Sequence, residues 1–357
     1  MFGPLDPTGK MPNLPGLLAE ASRLHSGMKC RLPNDSPFKG GTHDVFKLEF
    51  ADSTQWALRI CRDAHDWPAE LRAVKTLQHI KRHHPRILVP TVHGTKHPVW
   101  FMDWIEGAPL SRWDLQIPIR ARQGFLEDLA EFLLLLWSTP APALPYPTPV
   151  VPYSKWLTHT VDRQLNRTLR GESRWGDAME YLIMRSMIPY YSVAVDEYNT
   201  IGIAHGDLNT HNIMVDRDLR LSGVIDWDWL YLGPLPSVIH HPWFMADIPG
   251  WKNDWVQEGQ NFEQDREYLE GVIRNKEKER KLDSSISTLL HGSKDRMFFQ
   301  AAISMPGIHE QFVETHCART DANMAIANQQ LQAVLTVHPE WEKHAGVQRI
   351  RAMMKEV

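Results

Sequence analysis

The sequence predicts an α+β protein with a small antiparallel sheet near the N-terminus and a large, mainly helical C-terminal part. Two patterns carry this prediction: apolar residues alternate along residues 43–60, and apolar spacings of three and four dominate from residue 119 onward. The length of 357 residues exceeds what one ordinary hydrophobic core supports, so we expect two parts.

The N-terminal part begins with a short amphipathic helix at 13–26 and continues with a hairpin. In HDVFKLEF apolar and polar residues alternate, and after the turn ADST the segment QWALRI shows the same period of two. A helix follows at 68–83, opened by Pro68 and Glu70 in its first turn. The segment PVWFMDWIEG at 98–107 then reads as a buried strand that runs into a glycine-ended connection.

The C-terminal part consists mostly of helices. Residues 119–137 place six apolar side chains on one helix face: Phe125, Leu129, Phe132, Leu133, Leu136 and Trp137. The proline-rich segment 139–152 ends this helix and forms a loop or extended connector. Helical patterns resume at 153–170, at 177–200 with a break at Pro189, and across most of 262–357.

Composition and charge disfavour several classes of protein. The formal net charge of −4 and the pI near 6.5 argue for neither nucleic acid nor an anionic membrane as partner. Cys30, Cys61 and Cys317 are too far apart for a disulfide framework or a cysteine zinc site, which is typical of a reducing compartment. The longest apolar run, FLLLLW, is far shorter than the roughly 20 residues of a bilayer span. Prolines and glycines break the N-terminus before a signal peptide forms, so we expect a cytoplasmic protein.

The segment IAHGDLNTHNIMVDRDLRLSGVIDWD at 203–228 concentrates acidic and amide side chains between apolar stretches that read as strands. Asp207 precedes Asn212 by five residues, and phosphoryl transfer from ATP is commonly organised in this way. The carboxylate orients the attacking hydroxyl, and the amide ligates Mg²⁺. Because Mg²⁺ generally needs a carboxylate as well, we expect a hairpin turning at RDLR to bring Asp226 beside Asn212.

These motifs resemble the catalytic region of the aminoglycoside phosphotransferase and choline kinase family, which shares its fold with protein kinases. The kinase catalytic loop H-R-D-L-x-x-x-N matches His205, Asp207, Leu208 and Asn212, with Gly206 in place of the arginine. The resemblance implies a bilobal, protein-kinase-like fold with an N-lobe at 1–106 and a C-lobe at 107–357.

The resemblance also implies roles for the polar residues of this segment. Asp207 is the implied catalytic base, and His205 is a structural histidine that supports the loop. Asn212 and Asp226 are the implied Mg²⁺ ligands, with Asp226 in the place of the aspartate in D-F-G.

An ATP site in the N-terminal part is implied by the same resemblance. In the kinase strand motif V-A-I-K an alanine lies against adenine and a lysine binds the phosphates. Ala57 and Arg59 share one face of the strand WALR by alternation, and Glu70 is the expected ion-pair partner of Arg59. The glycine-rich loop and the hinge between lobes supply the other implied nucleotide contacts, which are Gly40, Gly41, Thr42, Met102, Asp103 and Ile105.

Several residues near the predicted site admit two interpretations. Asp228 either supports the metal or caps a helix. Three tryptophans either line a substrate pocket or pack in the core: Trp104, Trp227 and Trp229. Asp216 and Asp218 are predicted turn residues.

Some histidines and one threonine are not assigned to the chemistry. The histidine pairs at 83–84 and 240–241 each precede a proline and lack a third ligand at helical spacing, so we expect exposed loop or helix-end histidines. Thr210 and His211 are expected to face solvent.

The predicted function is ATP-dependent transfer of the γ-phosphoryl group to a hydroxyl of a small molecule. A P-loop kinase is disfavoured because G-x-x-x-x-G-K-[ST] is absent. A metallophosphatase is disfavoured because the pair Asp63 and His65 lies far upstream of Asp207 and no G-N-H-D or G-N-H-E follows. Two alternatives stay open: a non-catalytic kinase-fold protein that binds nucleotide or a partner, and a protein kinase.

The acceptor is predicted to be a small molecule rather than a protein. Asn209 stands where Ser/Thr protein kinases usually carry a lysine, and no A-P-E segment follows IDWD. Five acidic residues either form a pocket for a cationic acceptor or are ordinary solvated charges: Asp103, Glu106, Asp114, Glu127 and Asp128.

Overall fold

The computed structural model describes residues 13–63, 66–141, 149–251 and 260–353. The N-terminal segment 1–12, part of the proline-rich connector and the C-terminal end of the predicted helical region lie outside these ranges, as does His65.

The described chain contains short strands in its N-terminal and central portions and helices throughout. The strands are β1 (Cys30–Arg31), β2 (Phe38–Lys39), β3 (His43–Phe50), β4 (Gln55–Cys61), β5 (Val92–Lys96), β6 (Val99–Asp103), β7 (Ala108–Pro109), β8 (Ile201–Ala204), β9 (Ile213–Val215), β10 (Leu221–Val224) and β11 (Tyr231–Pro234). The helices are α1 (Leu14–Leu24), α2 (Trp67–His83), α3 (Ile119–Ser138), α4 (Tyr153–Leu169), α5 (Ala178–Ser192), α6 (Leu235–Val238), α7 (Glu263–Glu279), α8 (Ser285–Leu290), α9 (Ser293–Ala302), α10 (Pro306–His316), α11 (Asp321–Val337) and α12 (Ala345–Met353).

Backbone contacts divide the chain into two compact units. The first holds the described residues of Met1–Ser111 and of His205–Leu230. The second holds the described residues of Arg112–Ala141, Tyr146–Ala204 and Tyr231–Val357. All the residues predicted for the nucleotide, the metal and the base therefore belong to the first unit, and the lobe boundary at residues 106 and 107 stays a prediction.

The first unit contains an antiparallel sheet in the order β1-β3-β4-β6-β5, with β2 also paired to β3. β3 and β4 are the predicted hairpin, in which Phe46 lies opposite Leu58 and Val45 opposite Arg59. Phe46 and Leu58 belong to a buried cluster that includes Leu17 and Ala21 of α1. The alternation in the sequence thus buries one face of the hairpin against α1.

A second hairpin, β9 and β10, lies in the same unit and pairs with β7. Its turn is at the predicted position, because the Asp216 carboxylate accepts hydrogen bonds from the backbone N–H groups of Asp218 at 2.9 Å and Arg220 at 2.8 Å. Ile213 and Val224 are partners across the hairpin. This register confirms the predicted turn, and it returns the chain to Asn212 just before Asp226.

The second unit is mainly helical, as predicted. Its core includes Leu157 and Leu165 of α4, Leu182 of α5 and Leu331 of α11, all fully buried. The predicted break at Pro189 is wrong: α5 continues through the proline and ends at Ser192. A proline this close to a helix end removes one hydrogen bond from a helix that stops within the next turn. None of the helices in the described ranges is long and apolar enough to cross a membrane.

Candidate active site

Asp207 lies just before a 3₁₀ turn at Thr210–Asn212, and two amide side chains hold its carboxylate. Asn209 Nδ2 donates to one carboxylate oxygen at 2.9 Å, and Asn212 Nδ2 donates to the other at 3.0 Å. Burial raises the pKa of Asp207 above its ordinary value, and the two amide hydrogen bonds offset this only in part. The carboxylate is therefore fixed in orientation and more basic than an exposed aspartate.

Asn212 and Asp226 supply oxygen atoms beside Asp207. Both hydrogen bonds that the Asn212 amide nitrogen donates go to Asp207, one to its carboxylate and one to its carbonyl at 2.8 Å, so the amide oxygen is the atom available to a cation. The Ile225 N–H donates to the Asn212 carbonyl at 2.9 Å and ties the two segments together. Amide and carboxylate oxygen atoms are the donors that Mg²⁺ prefers, so these residues fit that ion.

Asp226 adopts a backbone conformation that few non-glycine residues adopt. Its φ is +62°, in the left-handed region. For a residue with a Cβ this conformation costs about 1–2 kcal/mol and persists where surrounding contacts impose it, often at functional sites. The hairpin before Asp226 and the contact of its carboxylate with Arg59 are such constraints.

His205 is buried and ties the backbone of the catalytic loop to the residue before Asp226. Its Nε2 donates to the Ile225 carbonyl at 2.9 Å, while its Nδ1 accepts from the Asp207 N–H at 3.3 Å. Burial lowers the pKa of His205 to about 4, so the imidazole is neutral near pH 7. This is the supporting position that the sequence resemblance implied.

Gly206 is required by the backbone at the place where protein kinases carry arginine. Its φ is +82°, and a Cβ at this position would lie 2.0 Å from the Trp229 carbonyl oxygen. Only glycine avoids both the unfavourable φ and the clash.

Arg59 is almost fully buried and contacts the two carboxylates of IDWD. Its Nη2 donates to Asp226 Oδ1 at 3.3 Å and to Asp228 Oδ1, and its guanidinium carbon lies 5.1 Å from the centre of the Trp100 ring. Burial raises the pKa of Asp228, and the nearby charge of Asp226 adds to this effect while Arg59 opposes it. Asp228 is thus an ion-pair partner of Arg59, a role that neither sequence interpretation named.

The expected direct ion pair of Arg59 with Glu70 is replaced by a bridge through His43. Glu70 Oε1 lies 3.0 Å from His43 Nε2, and Arg59 Nη2 lies 2.9 Å from His43 Nδ1. His43 is 4% exposed and occupies the start of β3. Its imidazole lies between the two side chains, and the described residues contain no ion pair of Arg59 with Glu70 within 4.0 Å.

The predicted glycine-rich loop is the turn between β2 and β3. A Cβ at Gly41 would meet no atom within 4 Å, and one at Gly40 would meet only the His43 carbonyl at 3.6 Å. The Thr42 hydroxyl lies 2.7 Å from His43 Nδ1. Among the described residues, none lies close enough to require a glycine at either position.

Arg62 holds the carbonyl side of this turn. Its guanidinium donates to the carbonyls of Gly40 at 2.8 Å, Gly41 at 3.2 Å and His43 at 2.9 Å. It also donates to the Asp44 carboxylate at 3.1 Å. One side chain thus binds the carbonyls of three residues of the turn and holds it in place.

Two of the predicted hinge residues, Met102 and Asp103, end β6, and Ile105 follows the strand. Met102 lies opposite Ala57 across the strand pair, and both are buried. The Asp103 carboxylate accepts from the Thr91 N–H at 2.9 Å and is 2.7 Å from His93 Nε2. Burial opposes ionisation of Asp103, but these hydrogen bonds outweigh it and lower the pKa. Ile105 packs closely on Gly223, since a Cβ added at Gly223 would lie 2.8 Å from Cγ2 of Ile105.

The tryptophans of the catalytic segment have different environments. Trp227 is 2% exposed, donates from Nε1 to the Val224 carbonyl at 3.1 Å and packs on His205, so it belongs to the core. Trp229 is 71% exposed. Trp104 is half-buried and lies 5.5 Å from the Phe38 ring.

Two expectations about solvent exposure are wrong. Thr210 is 1% exposed and donates to the Ser111 carbonyl at 3.1 Å, because its 3₁₀ turn packs against the chain that follows β7. His241 is 5% exposed and lies within 3.2 Å of Glu270 in the second unit. Burial lowers the pKa of both His240 and His241, so neither is the exposed loop histidine that the sequence suggested.

Most of the five acidic pocket candidates contact donors of this chain. Glu106 pairs with Lys47 at 3.3 Å, while Asp103 has the contacts given above. In the second unit, Asp114 accepts from Gln260 Nε2 at 3.0 Å, and Glu127 accepts from the Tyr268 hydroxyl at 2.8 Å. These contacts favour the structural interpretation of the four carboxylates.

Three side chains at the site were not singled out from the sequence for the contacts they make: His43, Arg62 and Asn209. The role of Asn209 could have been predicted from the sequence, because an Asn just before a helical turn is a common N-cap. In the structure its Oδ1 accepts from the His211 N–H at 2.9 Å. His43 is the first residue of β3 and Arg62 follows β4, and only the pairing of these two strands brings both residues to the loop.

Comparison with known proteins agrees with this geometry. A model of the phosphotransferase enzyme family matches residues 36–237, more than half of the chain. A comparison with curated protein sequences gives no match.

Solved structures show which fold the chain has. It is similar to the ADP-bound aminoglycoside phosphotransferase APH(2″)-Ib, with 15% identity, a TM-score of 0.55, and coverage of 88% of this chain and 96% of that one. It is also similar to the macrolide 2′-phosphotransferase MphH from Brachybacterium faecium, with 16% identity, a TM-score of 0.52, and coverage of 88% and 98%. A third similar structure, a streptomycin–ATP complex of APH(2″)-IIa, has 15% identity, a TM-score of 0.52, and coverage of 82% and 91%.

These structures confirm the predicted α+β, protein-kinase-like fold. The match of the family model over residues 36–237 shows that the chain belongs to the phosphotransferase enzyme family.

Proposed function

We propose that the protein is an ATP-dependent phosphotransferase that moves the γ-phosphoryl group to a hydroxyl of a small molecule. One observation carries this proposal: Asp207 is held by two amides, one of which belongs to Asn212, and the hairpin from Asn212 leads to Asp226 in contact with Arg59. These are the base, metal-ligand and phosphate-binding groups that phosphoryl transfer requires.

Asp207 would orient the acceptor hydroxyl and accept its proton. The Asn209 and Asn212 amides fix the direction of its carboxylate, and burial makes it a better proton acceptor than an exposed aspartate. In-line attack on the γ-phosphorus then depends on positioning, which is the main contribution of proteins to this reaction.

The nucleotide would bind along the face of the sheet that carries Ala57 and Arg59. Arg59 would hold phosphate oxygens, with the turn of Gly40, Gly41 and Thr42 over them. The adenine would meet Ala57 and the hinge residues Met102, Asp103 and Ile105. Nucleotide use is supported by the similar structures, which were solved with ADP and with ATP.

Asn212 and Asp226 would hold Mg²⁺ through their side-chain oxygen atoms. When bound, the ion would neutralise charge on the transferred phosphoryl group. We further propose an N-lobe at 1–106 and a C-lobe at 107–357, and a cytoplasmic location, which the free thiols of Cys30, Cys61 and Cys317 favour.

The acceptor class is proposed from the family and its solved members. The similar structures are enzymes for aminoglycosides and macrolides, which are small molecules that carry hydroxyl groups. ADP release should therefore be measured with MgATP and a panel of amino alcohols, sugars, aminoglycosides and macrolides. Turnover that requires both Mg²⁺ and one of these acceptors is expected, and absence of turnover with every member would contradict the small-molecule proposal.

The metal ligands have a separate test. Asp226→Ala should abolish both turnover and its dependence on Mg²⁺ while the protein stays folded. Retained Mg²⁺-dependent turnover would show that Asp226 is not a ligand.

A further inference from the structure

A chain of three buried side chains joins α2 to the phosphate-binding arginine. Glu70 and His43 are each about nine-tenths or more buried, and so is Arg59, with exposures of 5%, 4% and 5%. The links are 3.0 Å from Glu70 Oε1 to His43 Nε2 and 2.9 Å from His43 Nδ1 to Arg59 Nη2. Charged groups this deeply buried need partners, and each end of the chain finds one through the same imidazole.

The arginine at one end of the chain determines which nitrogen of the histidine carries the hydrogen. A guanidinium has only donors, so the 2.9 Å contact with Arg59 assigns the lone pair to His43 Nδ1 and the hydrogen to Nε2. The Thr42 hydroxyl, 2.7 Å from Nδ1, can donate to the same lone pair, while Asp228 Oδ2 is farther away at 3.4 Å. Nε2 lies 3.0 Å from Glu70 Oε1, in ion-pair contact with the carboxylate but without hydrogen-bond geometry. His43 therefore presents an acceptor to Arg59 through Nδ1 while its Nε2 lies against the Glu70 carboxylate.

The same hydrogen-bond pattern argues against a metal ion at this place. Potential ligand atoms of His43, Cys61 and Glu70 lie within 4.8 Å of one another, which invites a zinc interpretation. However, neither nitrogen of His43 has a lone pair to offer in this arrangement. Cys61 Sγ donates to the Asp63 carbonyl at 3.0 Å, and burial raises the pKa of the thiol, which disfavours the thiolate that zinc binds.

Arg59 is also drawn toward the metal-binding side of the site. The same Nη2 atom that donates to His43 contacts Asp226 and Asp228. Three acceptors share one NH₂ group with two hydrogens, so loss of any one lets the guanidinium turn toward the others. Without His43 the attraction of the two aspartates is unopposed, and Arg59 pairs more closely with the residues it should leave for phosphate.

We infer that His43 is a positioning residue, which transmits the hold of Glu70 to Arg59 and keeps the guanidinium available to the phosphates of the nucleotide. This inference rests on the proposed function for the identity of the ligand. It assigns to His43, Glu70 and Arg59 together the task that a direct lysine–glutamate pair performs in protein kinases.

A double-mutant cycle on MgATP binding tests the inference. The dissociation constant of MgATP is measured by calorimetry for wild type, His43→Ala, Glu70→Ala and the double variant. Each single substitution should raise it by about tenfold, the usual effect of losing a hydrogen bond to a charged group. The double variant should bind MgATP no more weakly than either single variant, because each single substitution already breaks the Glu70–His43–Arg59 contact.

Two further variants separate positioning from folding. His43→Asn keeps an acceptor near the position of Nδ1 and should recover most of the affinity lost in His43→Ala. His25→Ala removes a histidine that pairs with Asp52 at 2.8 Å at the edge of the same unit, and it should leave the dissociation constant unchanged. If His43→Ala does not fold, the cycle is run with His43→Asn and Glu70→Gln.

A measurement without nucleotide addresses the tautomer directly. The ¹⁵N shifts of His43 should identify Nε2 as the protonated nitrogen and Nδ1 as the acceptor. The inference would be overturned by a hydrogen on Nδ1 or by an unchanged dissociation constant in His43→Ala. It would also be overturned if the affinity losses of the two single variants multiplied in the double variant.

The proposed function and the inference fail in different ways. Wild type that binds MgATP without transferring phosphate to any acceptor contradicts the proposed function, while the affinity cycle still decides the role of His43. Wild type that does not bind MgATP contradicts both.

Discussion

At the residue scale, the chemistry of the site depends on which atoms are already committed to hydrogen bonds. Asn212 uses its amide nitrogen on Asp207, which leaves the oxygen for a cation. Asn209 uses its oxygen to cap the 3₁₀ turn and its nitrogen to hold Asp207. The two amide side chains thus have different roles. Replacing either by aspartate would place a second carboxylate in contact with Asp207.

Asp207→Asn tests the base. The substitution keeps the shape of the side chain but removes the proton acceptor, so kcat should fall by about two to four orders of magnitude with a small change in the KM for ATP. Steady-state ADP release measures both constants. Asp218→Asn, in the exposed turn of the same hairpin, is the control and should match wild type. A kcat for Asp207→Asn within tenfold of wild type would exclude Asp207 as the base.

Gly206→Ala tests the backbone requirement in the catalytic loop. The new Cβ meets the Trp229 carbonyl oxygen, in addition to the unfavourable φ of +82°. Gly27 has the same φ of +82° with no atom within 4 Å of a Cβ, so Gly27→Ala isolates the cost of φ alone, about 1–2 kcal/mol. Urea unfolding should show a larger loss for Gly206→Ala, by roughly 1 kcal/mol or more. Equal losses would mean that the loop relaxes away from Trp229.

At the scale of elements, two hairpins position the site within the first unit. The β9–β10 hairpin delivers Asn212 and Asp226, whose positions in the chain are separated by the turn at Asp216. The β3–β4 hairpin delivers His43 and Arg59, and the β2–β3 turn lies at its end. Sequence-local pairing thus brings together residues within each hairpin, but the contact of Arg59 with Asp226 joins residues from different hairpins.

Arg62→Gln tests whether the fixed β2–β3 turn matters for the nucleotide. Loss of the guanidinium frees the carbonyls of Gly40, Gly41 and His43 and loosens the turn. The KM for ATP should rise about 3- to 30-fold, as for the loss of one or two hydrogen bonds to a charged group, with a smaller change in kcat.

The control for Arg62 is an arginine of the same sheet with an exposed ion pair. Arg31 pairs with Glu49 at 2.8 Å, and its side chain is 74% exposed. Arg31→Gln should leave the KM unchanged, since exposed ion pairs contribute little. Equal KM values for Arg62→Gln and wild type would show that the turn does not need this clamp.

At the scale of the whole molecule, buried histidines make stability depend on pH. His205 in the first unit has its pKa lowered by burial to about 4, and His240 and His241 in the second unit are shifted in the same direction. Between the unfolded value of 6.5 and the folded value, the unfolded chain binds a proton that the folded chain does not. Stability conferred by neutral His205 is therefore complete above pH 6.5 and is lost as the pH falls.

His205→Gln should make the stability of the first unit less sensitive to acid. Wild type should lose about 1.4 kcal/mol per pH unit from this histidine as the pH falls from 6.5 toward 4, and the variant should lack that contribution. Urea unfolding at several pH values measures the slope. Burial raises the pKa values of Asp207 and Asp228, which favours the folded state as the pH falls. Both residues are present in wild type and in the variant, so they do not affect the comparison. His211→Gln at an exposed position is the control, and an unchanged slope in His205→Gln would contradict the assigned burial effect.

The elements with clear periodicity were predictable and the short ones were not. The hairpin of β3 and β4 and the helices α1, α2, α3 and α4 lie within a few residues of the predicted segments because their apolar residues have a single consistent period. β1, β2 and β7 have two residues each, too few for any pattern. Their positions depend on the partner strand.

The candidate site divides in the same way. Asp207, Asn212 and Asp226 were recognisable because a short loop and one hairpin fix their spacing in the sequence. The partner of Glu70 was not recognisable, since the two strands β3 and β4 separate His43 from Glu70 in the chain and the role of His43 follows from its contacts and burial. Asp228 likewise acquires its partner from a strand 169 residues earlier.

The sequence by itself determined the α+β class, the hairpins and the family motif, because each depends on local spacing and on the alternation of apolar and polar residues. The tertiary structure alone decided that Glu70 reaches Arg59 through His43, that Arg62 fixes the glycine turn, and that Thr210 is buried. The physical reason is that buried charges and donors must find partners in three dimensions, and the available partner depends on which strands and turns the fold brings within about 3 Å.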